Sequence, residues 1–195
     1  ITELTNNANA TIETFDNNQE VANDFTNNGT ITTLNNNTAG ILHNLTNSGT
    51  GTITTLKNEG QLDGKLTNQT GGNIGTIDNH NDITEIENQG TITDLNNNNG
   101  ASITTLDNSG TITNDFTNNG SITDLNNLTG GTMKNLTNSG TGNIGTITNE
   151  GTLTGGITNE AKDPNSPNGG TIGDIVNKAQ LDTITNKGEI TNKIS

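Results

Sequence analysis

The chain has 195 residues, of which 25% are hydrophobic and 2% aromatic, and its formal net charge is −14. Seven basic residues against 21 acidic ones exclude a nucleic-acid backbone as the main partner, because that partner needs clustered Lys and Arg. The absence of cysteine excludes a disulfide framework and a thiolate metal site, and no apolar run approaches the ~18 residues of a membrane-spanning helix.

Low apolar content is also the signature of disorder, but the order of the residues argues against it. From Ile1 onward one short unit recurs: polar, apolar, two polars, apolar, polar, Asn, often with Gly two residues later. The first apolar position falls at Ile1, Ile12, Val21, Ile31, Leu42, Ile53, Leu62, Ile74, Ile83 and Ile92. It continues at Ile103, Ile112, Ile122, Met133, Ile144, Leu153, Ile172, Leu181 and Ile190, which makes 19 units. The second apolar position follows three or four residues on, from Leu4 and Phe15 through to Ile184 and Ile194. Among the large apolar residues only Ile41, Leu128 and Val176 lie outside these two columns, so the columns are the expected core.

Two residues beyond the second apolar position stands Asn, from Asn6, Asn17, Asn27 and Asn36 to Asn177 and Asn186, in all 18 units that reach that far. Residues two apart on a strand share a face, so this Asn is expected to point inward beside the preceding Leu or Ile. Stacked coils would hold such amides about 4.8 Å apart, where they donate and accept along a ladder. The apolar pairs that stand four apart, as in Val21–Phe25, Leu62–Leu66, Ile112–Phe116, Leu153–Ile157 and Ile190–Ile194, predict single-residue bulges.

Between successive first apolar positions the gaps run 11, 9, 10, then 11, 11, 9, and in groups of three the first gap is always at least 11. This spacing predicts three units per coil. The expected fold is all-β, a three-sided parallel β-helix of about six coils of ~30 residues. Residues from 92 repeat those from 1 at an offset of 91, so that Asn23 to Gly29 recurs as Asn114 to Gly120. The expected organisation is a single β-helix over 1–195, with a tandem duplication of 1–91 and 92–195. Both prolines, Pro164 and Pro167, fall in the segment 161–170, which predicts an exposed loop. A unit already under way at Ile1, with no signal peptide ahead of it, predicts a fragment of a longer chain.

No catalytic, cofactor-binding or metal-ligating residue is expected. His43 and His80 fall on the polar side of different coils, and the acids occur singly. The calcium-binding nonapeptide, EF-hand, Walker and nucleophile-elbow patterns are all absent. The expectation is a protein that is not an enzyme and takes no cofactor. Thr-Ile-Thr recurs at 30–32, 52–54, 91–93 and 111–113, and Thr-Leu-Thr at 152–154. Outward Thr ladders of this kind serve β-solenoid ice binders. On the first face of the expected three-sided coil they hold in coils two, four and six, with Ser121-Ile122-Thr123 in coil five, and fail at Gln61-Leu62-Asp63 in coil three.

The run from Ile103 to Gly110 leading into Thr111-Ile112 resembles the Asn-, Thr- and Gly-rich repeats of vacuolating-cytotoxin-like autotransporters. The resemblance covers the chain except 161–170. It implies a right-handed β-helix displayed outside a bacterial outer membrane, and it carries over no catalytic residue. The translocating barrel of that family is not in these 195 residues. The leading expectation is a surface-exposed stalk or adhesin whose partner is a host-cell surface or glycan, with no nucleic acid and no membrane insertion by this segment. The alternatives are a structural subunit of an extracellular filament or sheath that associates end to end, and an ice-binding protein.

Overall fold

Alternation of apolar and polar residues, rich in Ile and Thr, is what a pleated surface with one buried face selects. The computed structural model describes residues 1–165 and 169–195 and contains no helix among them. Its strands begin with β1 (Leu4–Asn6), β2 (Thr11–Asn17), β3 (Glu20–Asn27), β4 (Thr30–Asn36), β5 (Ile41–Asn47), β6 (Thr52–Asn58) and β7 (Gln61–Asn68). Then come β8 (Asn73–Asn79), β9 (Asp82–Asn88), β10 (Thr91–Asn97), β11 (Ser102–Asn108), β12 (Thr111–Ile112), β13 (Phe116–Asn118) and β14 (Ser121–Asn127). The last are β15 (Thr132–Asn138), β16 (Asn143–Asn149), β17 (Thr152–Asn159), β18 (Thr171–Asn177), β19 (Gln180–Leu181), β20 (Ile184–Asn186) and β21 (Glu189–Ile190).

These strands form two sheets, not three. The first runs β1-β3-β5-β7-β9-β11-β14-β16-β18-β21, and the second runs from β2 through the even-numbered units to β17, β19 and β20. Each strand pairs in parallel with the strand two units on: Leu4 lies opposite Phe25, and Asn6 opposite Asn27. One coil is therefore two units. The three-sided winding of six coils expected from the gaps is replaced by a two-sided solenoid of about nine turns of ~21 residues, or roughly 45 Å of rod at ~4.8 Å per coil. The rings of Phe15 on β2 and Phe25 on β3 meet edge-on across the interior, with centroids 5.0 Å apart and planes at 71°. The two sheets thus share one thin core.

The gap pattern misleads because of the corners. A corner has two residues, as in Asn28-Gly29, or four, as in Asn37 to Gly40. The four-residue form closes on itself by a bond from the fourth N–H to the first carbonyl, as in Gly40 to Asn37 at 2.6 Å and Gly72 to Gln69 at 2.8 Å. This is a β-turn bulged outward from the rod. It leaves the flanking Asn and the next strand where a short corner leaves them. Corner length accordingly carries no information about how many units close a coil. The 91-residue duplication covers nine units, an odd number, so each copy lies on the opposite sheet from its original: β3 belongs to the first sheet, and its copy, β12 with β13, to the second.

Along the strands from β3 to β17 both apolar positions and the Asn are buried, as β10 buries Ile92, Leu95 and Asn97. Leu4, Ile12 and Phe15 at one end and Leu181, Ile184 and Ile190 at the other are only partly covered. The apolar pairs spaced four apart shift the register of the pairing, at Val21/Asp24 against β5 and at Leu62/Lys65 against β9. Ile112–Phe116 instead breaks its strand into β12 and β13.

Between β17 and β18 the long insertion exposes Ala161, Lys162, Pro164 and Asn165, whereas Gly169 and Gly170 are buried; residues 166–168 of the expected loop lie outside the described residues. The Gly170 carbonyl accepts from Glu189 N at 2.8 Å and from Asn159 Nδ2 at 3.0 Å, the role that a glycine closing a corner plays elsewhere. Deleting residues 161–169 would leave Asn159-Glu160-Gly170-Thr171, the same four residue types as the corner Asn149-Glu150-Gly151-Thr152. The shortened chain should keep its β circular-dichroism spectrum and gain about 1 kcal/mol from the smaller loop-closure cost. Loss of the β signal would show that the insertion holds the stack together.

Candidate functional surface

Chemistry in the interior is closed. On the first sheet Asn6 Nδ2 donates to Asn27 Oδ1 at 2.8 Å, and the same bond recurs coil by coil to Asn177. On the second sheet an equal ladder runs from Asn17 to Asn186. The second amide hydrogen bonds the carbonyl that opens a neighbouring strand, as from Asn79 to Ser102 O at 3.0 Å and from Asn97 to Ser121 O at 3.0 Å. Asn suits this position because its one side chain carries an acceptor and two donors, all used here. Among the described residues no buried side-chain nitrogen or oxygen lacks a partner. Nothing inside is left to bind a ligand, so any contact is made by the outer faces and corners.

Outside, the charges pair along the stack. His43 lies between two coils' acids, with Nε2 2.9 Å from Glu20 Oε1 and Nδ1 2.7 Å from Asp63 Oδ1. The Glu20 hydrogen bond raises the imidazole pKa above its usual value; desolvation works against this and Asp63 reinforces it. Sequence reading left His43 without a partner because its neighbours are 20 and 23 residues away, a spacing that becomes contact only once the coil length is known. Lys65 Nζ bridges Glu85 at 2.8 Å and Glu87 at 2.9 Å on the next coil. The bond from Lys65 lowers the Glu87 pKa below the ordinary carboxylate range. His80 sits 2.9 Å from Asp78 at a corner, separate from His43. Burial opposes ionisation of Asp78, yet the bonds from His80 and Asn98 outweigh it, and its pKa is lowered. Among the described residues no three His, Cys, Asp or Glu gather so as to hold a metal ion.

A recess of about 250 Å³ lies on an edge of the rod and is lined by Asn99, Gly100, Ala101, Ser102 and Ser121 among others. It forms where the short corner Asn119-Gly120 sits between the longer ones at Asn98–Ala101 and Ser139–Gly142. No acid, base or nucleophile of unusual environment faces it.

Two-sided winding also moves the Thr-x-Thr motifs. All five lie on strands of the second sheet, namely β4, β6, β10, β12 and β17, and not on alternate coils of one face in three. Gln61-Leu62-Asp63, which interrupts the motif under three-sided winding, belongs to β7 of the opposite sheet.

No family model matches the chain, and no curated protein or solved structure matches it.

Proposed function

We propose that this chain is a right-handed β-solenoid stalk of a bacterial surface passenger, non-catalytic, extracellular, and adhesive through its polar outer faces toward a host-cell surface or glycan. The observation that carries the reading is the pair of unbroken Asn ladders, each joining nine coils through a fully satisfied interior. A solenoid of this kind bonds each coil only to its neighbours, so length is added without a new core design. Its corners accept two, four or eleven residues without disturbing the strands, which suits a rod that carries variable loops on a constant frame. Right-handed winding follows from the strong preference of parallel β crossovers for that hand. The repeats' resemblance to autotransporter passengers supplies the surface location.

Beads coated with the chain should be retained on epithelial monolayers or on arrayed glycans above beads coated with an inert protein of equal net charge. Retention at background would remove the adhesive role and leave only that of a spacer.

A further inference from the structure

The position that opens each strand, just before the first apolar residue, separates the two sheets. On the second sheet it is Thr in seven of nine units; on the first it is Thr only at Thr171. The duplication makes this informative, because it moved every copied unit to the other sheet. Glu20, Ile41 and Gln61 on the first sheet have Thr111, Thr132 and Thr152 as their copies on the second. In the opposite direction Thr11, Thr30 and Thr52 have become Ser102, Ser121 and Asn143.

A neighbouring column supplies the control. Thr26, Thr46 and Thr67, one residue before the ladder Asn, were carried across as Thr117, Thr137 and Thr158. That column keeps its residue in five of the first seven units, with Thr5/Asn96 and Lys57/Thr148 as the exceptions. The strand-opening Thr follows the sheet in the six pairs above. Among the Thr pairs only Asn73 on the second sheet, with its counterpart Thr171 on the first, goes the other way.

The backbone does not ask for Thr there. On the second sheet Thr111 N donates to the Gly90 carbonyl at 2.9 Å, and its own carbonyl accepts from Asn88 at 3.2 Å. On the first sheet Ser121 N donates to Ala101 O at 2.9 Å, and its carbonyl accepts from Asn97 at 3.0 Å. The same roles on the first sheet are filled by Gln, Asp, Ser or Asn. What differs is the solvent side.

On the second sheet that side is regular. Its charges from β4 to β10 (Lys57, Asp78 and Asp94) stand clear of the two columns beside the first apolar residue, which Glu13 and Lys134 bound at either end. From β2 to β10 the second sheet pairs without a register shift, whereas the first sheet shifts at three places between β3 and β9. From β4 to β12 the two outward positions flanking the first apolar residue hold eight Thr, Asn73 and Gly75, in a chain whose net charge is −14. In the same two columns from β3 to β11 the first sheet carries Glu20, His43, Asp63 and Asp82.

We infer that this stripe of the second sheet binds an ordered water lattice, the surface of ice. Its hydroxyls repeat about every 4.8 Å across strands and ~6.6 Å along them, so the matching partner is itself periodic. Each Thr from β6 to β12 offers a hydroxyl to bond lattice water and a methyl that does not compete for it, whereas at the stripe's edge Thr32 donates to Glu13 Oε2 at 3.5 Å. This stripe carries no aromatic ring on which a sugar could stack, so a glycan would be held by hydrogen bonds on another face or corner of the rod. A protein partner would need ~800 Å² per side, several times the roughly 160 Å² that five strands of this stripe present.

The inference goes beyond the stalk reading and is tested apart from it, on the 195-residue chain. The chain should facet growing ice crystals and open a gap between melting and freezing temperatures. Thr52→Lys with Thr91→Lys should abolish both effects, while Ser102→Lys with Ser121→Lys on the other sheet should leave them, with β circular dichroism retained in each. Thr52→Ser with Thr91→Ser, which removes only methyl groups, guards against misfolding and should also weaken the effect. Absence of faceting and of a gap in the parent chain, equal loss in both Lys pairs, or sedimentation showing that the stripe joins two copies would overturn the inference.

Discussion

Replacing Asn79 by Asp should destabilise the middle of the rod by about 3–5 kcal/mol at pH 7, the range for a buried charge left without a partner. Asn79 is fully buried. It accepts from Asn58 at 2.9 Å, donates to Asn97 Oδ1 at 2.9 Å and donates to the Ser102 carbonyl at 3.0 Å. An ionised carboxylate only accepts, so both donor bonds become contacts between oxygens. The variant carboxyl should therefore have its pKa raised in the folded state. Its penalty is absent below the unfolded value of ~3.9 and grows as pH rises toward the folded value. Relative to the parent at each pH, the loss should shrink near pH 3. Because such rods open in parts, hydrogen exchange of the amides in β8 and β10 is the direct readout. Exchange unchanged at pH 7 would mean that the ladder is not what holds the coils together.

The second large effect is expected at Gly110, which closes the corner after β11. Its φ is not in the left-handed region, so the requirement for glycine is one of space. A Cβ there would run into the Gly90 carbonyl oxygen of the preceding coil and lie 2.7 Å from the Gln89 carbonyl carbon. Those atoms are backbone and cannot step aside without opening the corner. Gly110 N also bonds Asn88 O at 2.9 Å, and its carbonyl accepts from Thr132 at 2.8 Å. Gly110→Ala should cost about 3 kcal/mol or more, from overpacking plus weakened hydrogen bonds. Gly100 makes the comparison: its φ is 86° and nothing lies near the added carbon. Gly100→Asn should cost well under half as much, since Asn tolerates that conformation. Equal losses by thermal unfolding would refute the close-approach account.

The apolar columns and the Asn column were legible in the chain because each is a local rule, repeated at nearly every unit. Leu34 and Asn36 stand two apart, and that alone puts both on one face. The winding number was not legible, because it depends on which units meet, and both sheets are built from the same unit. Long corners fall after β1, β4, β7 and β10, and again after β14 and β17, a period of three in the sequence laid over coils that close every two, with extra long corners after β5 and β15. Interior filling decides between them. Three inward residues per unit suffice to fill the gap of ~10 Å between two facing sheets, and Phe15 against Phe25 shows that gap filled. The outer face carries the same ambiguity, since the faces of Thr52 and Gln61 depend on whether units close a coil in twos or in threes.

The ladders have one further property. All their amides point the same way, oxygen toward the N-terminal coils and N–H toward the C-terminal ones. Strand backbone dipoles largely cancel, whereas these side chains add. The charges lean in the same sense: the first 50 residues hold Glu3, Glu13, Asp16, Glu20 and Asp24 with no Lys or Arg, while Lys162, Lys178, Lys187 and Lys193 lie in the last 34. In the language of dielectrics the rod is a poled solid, polarised along its own length. An external field acts on it as on a compass needle, and two rods lying side by side are favoured antiparallel.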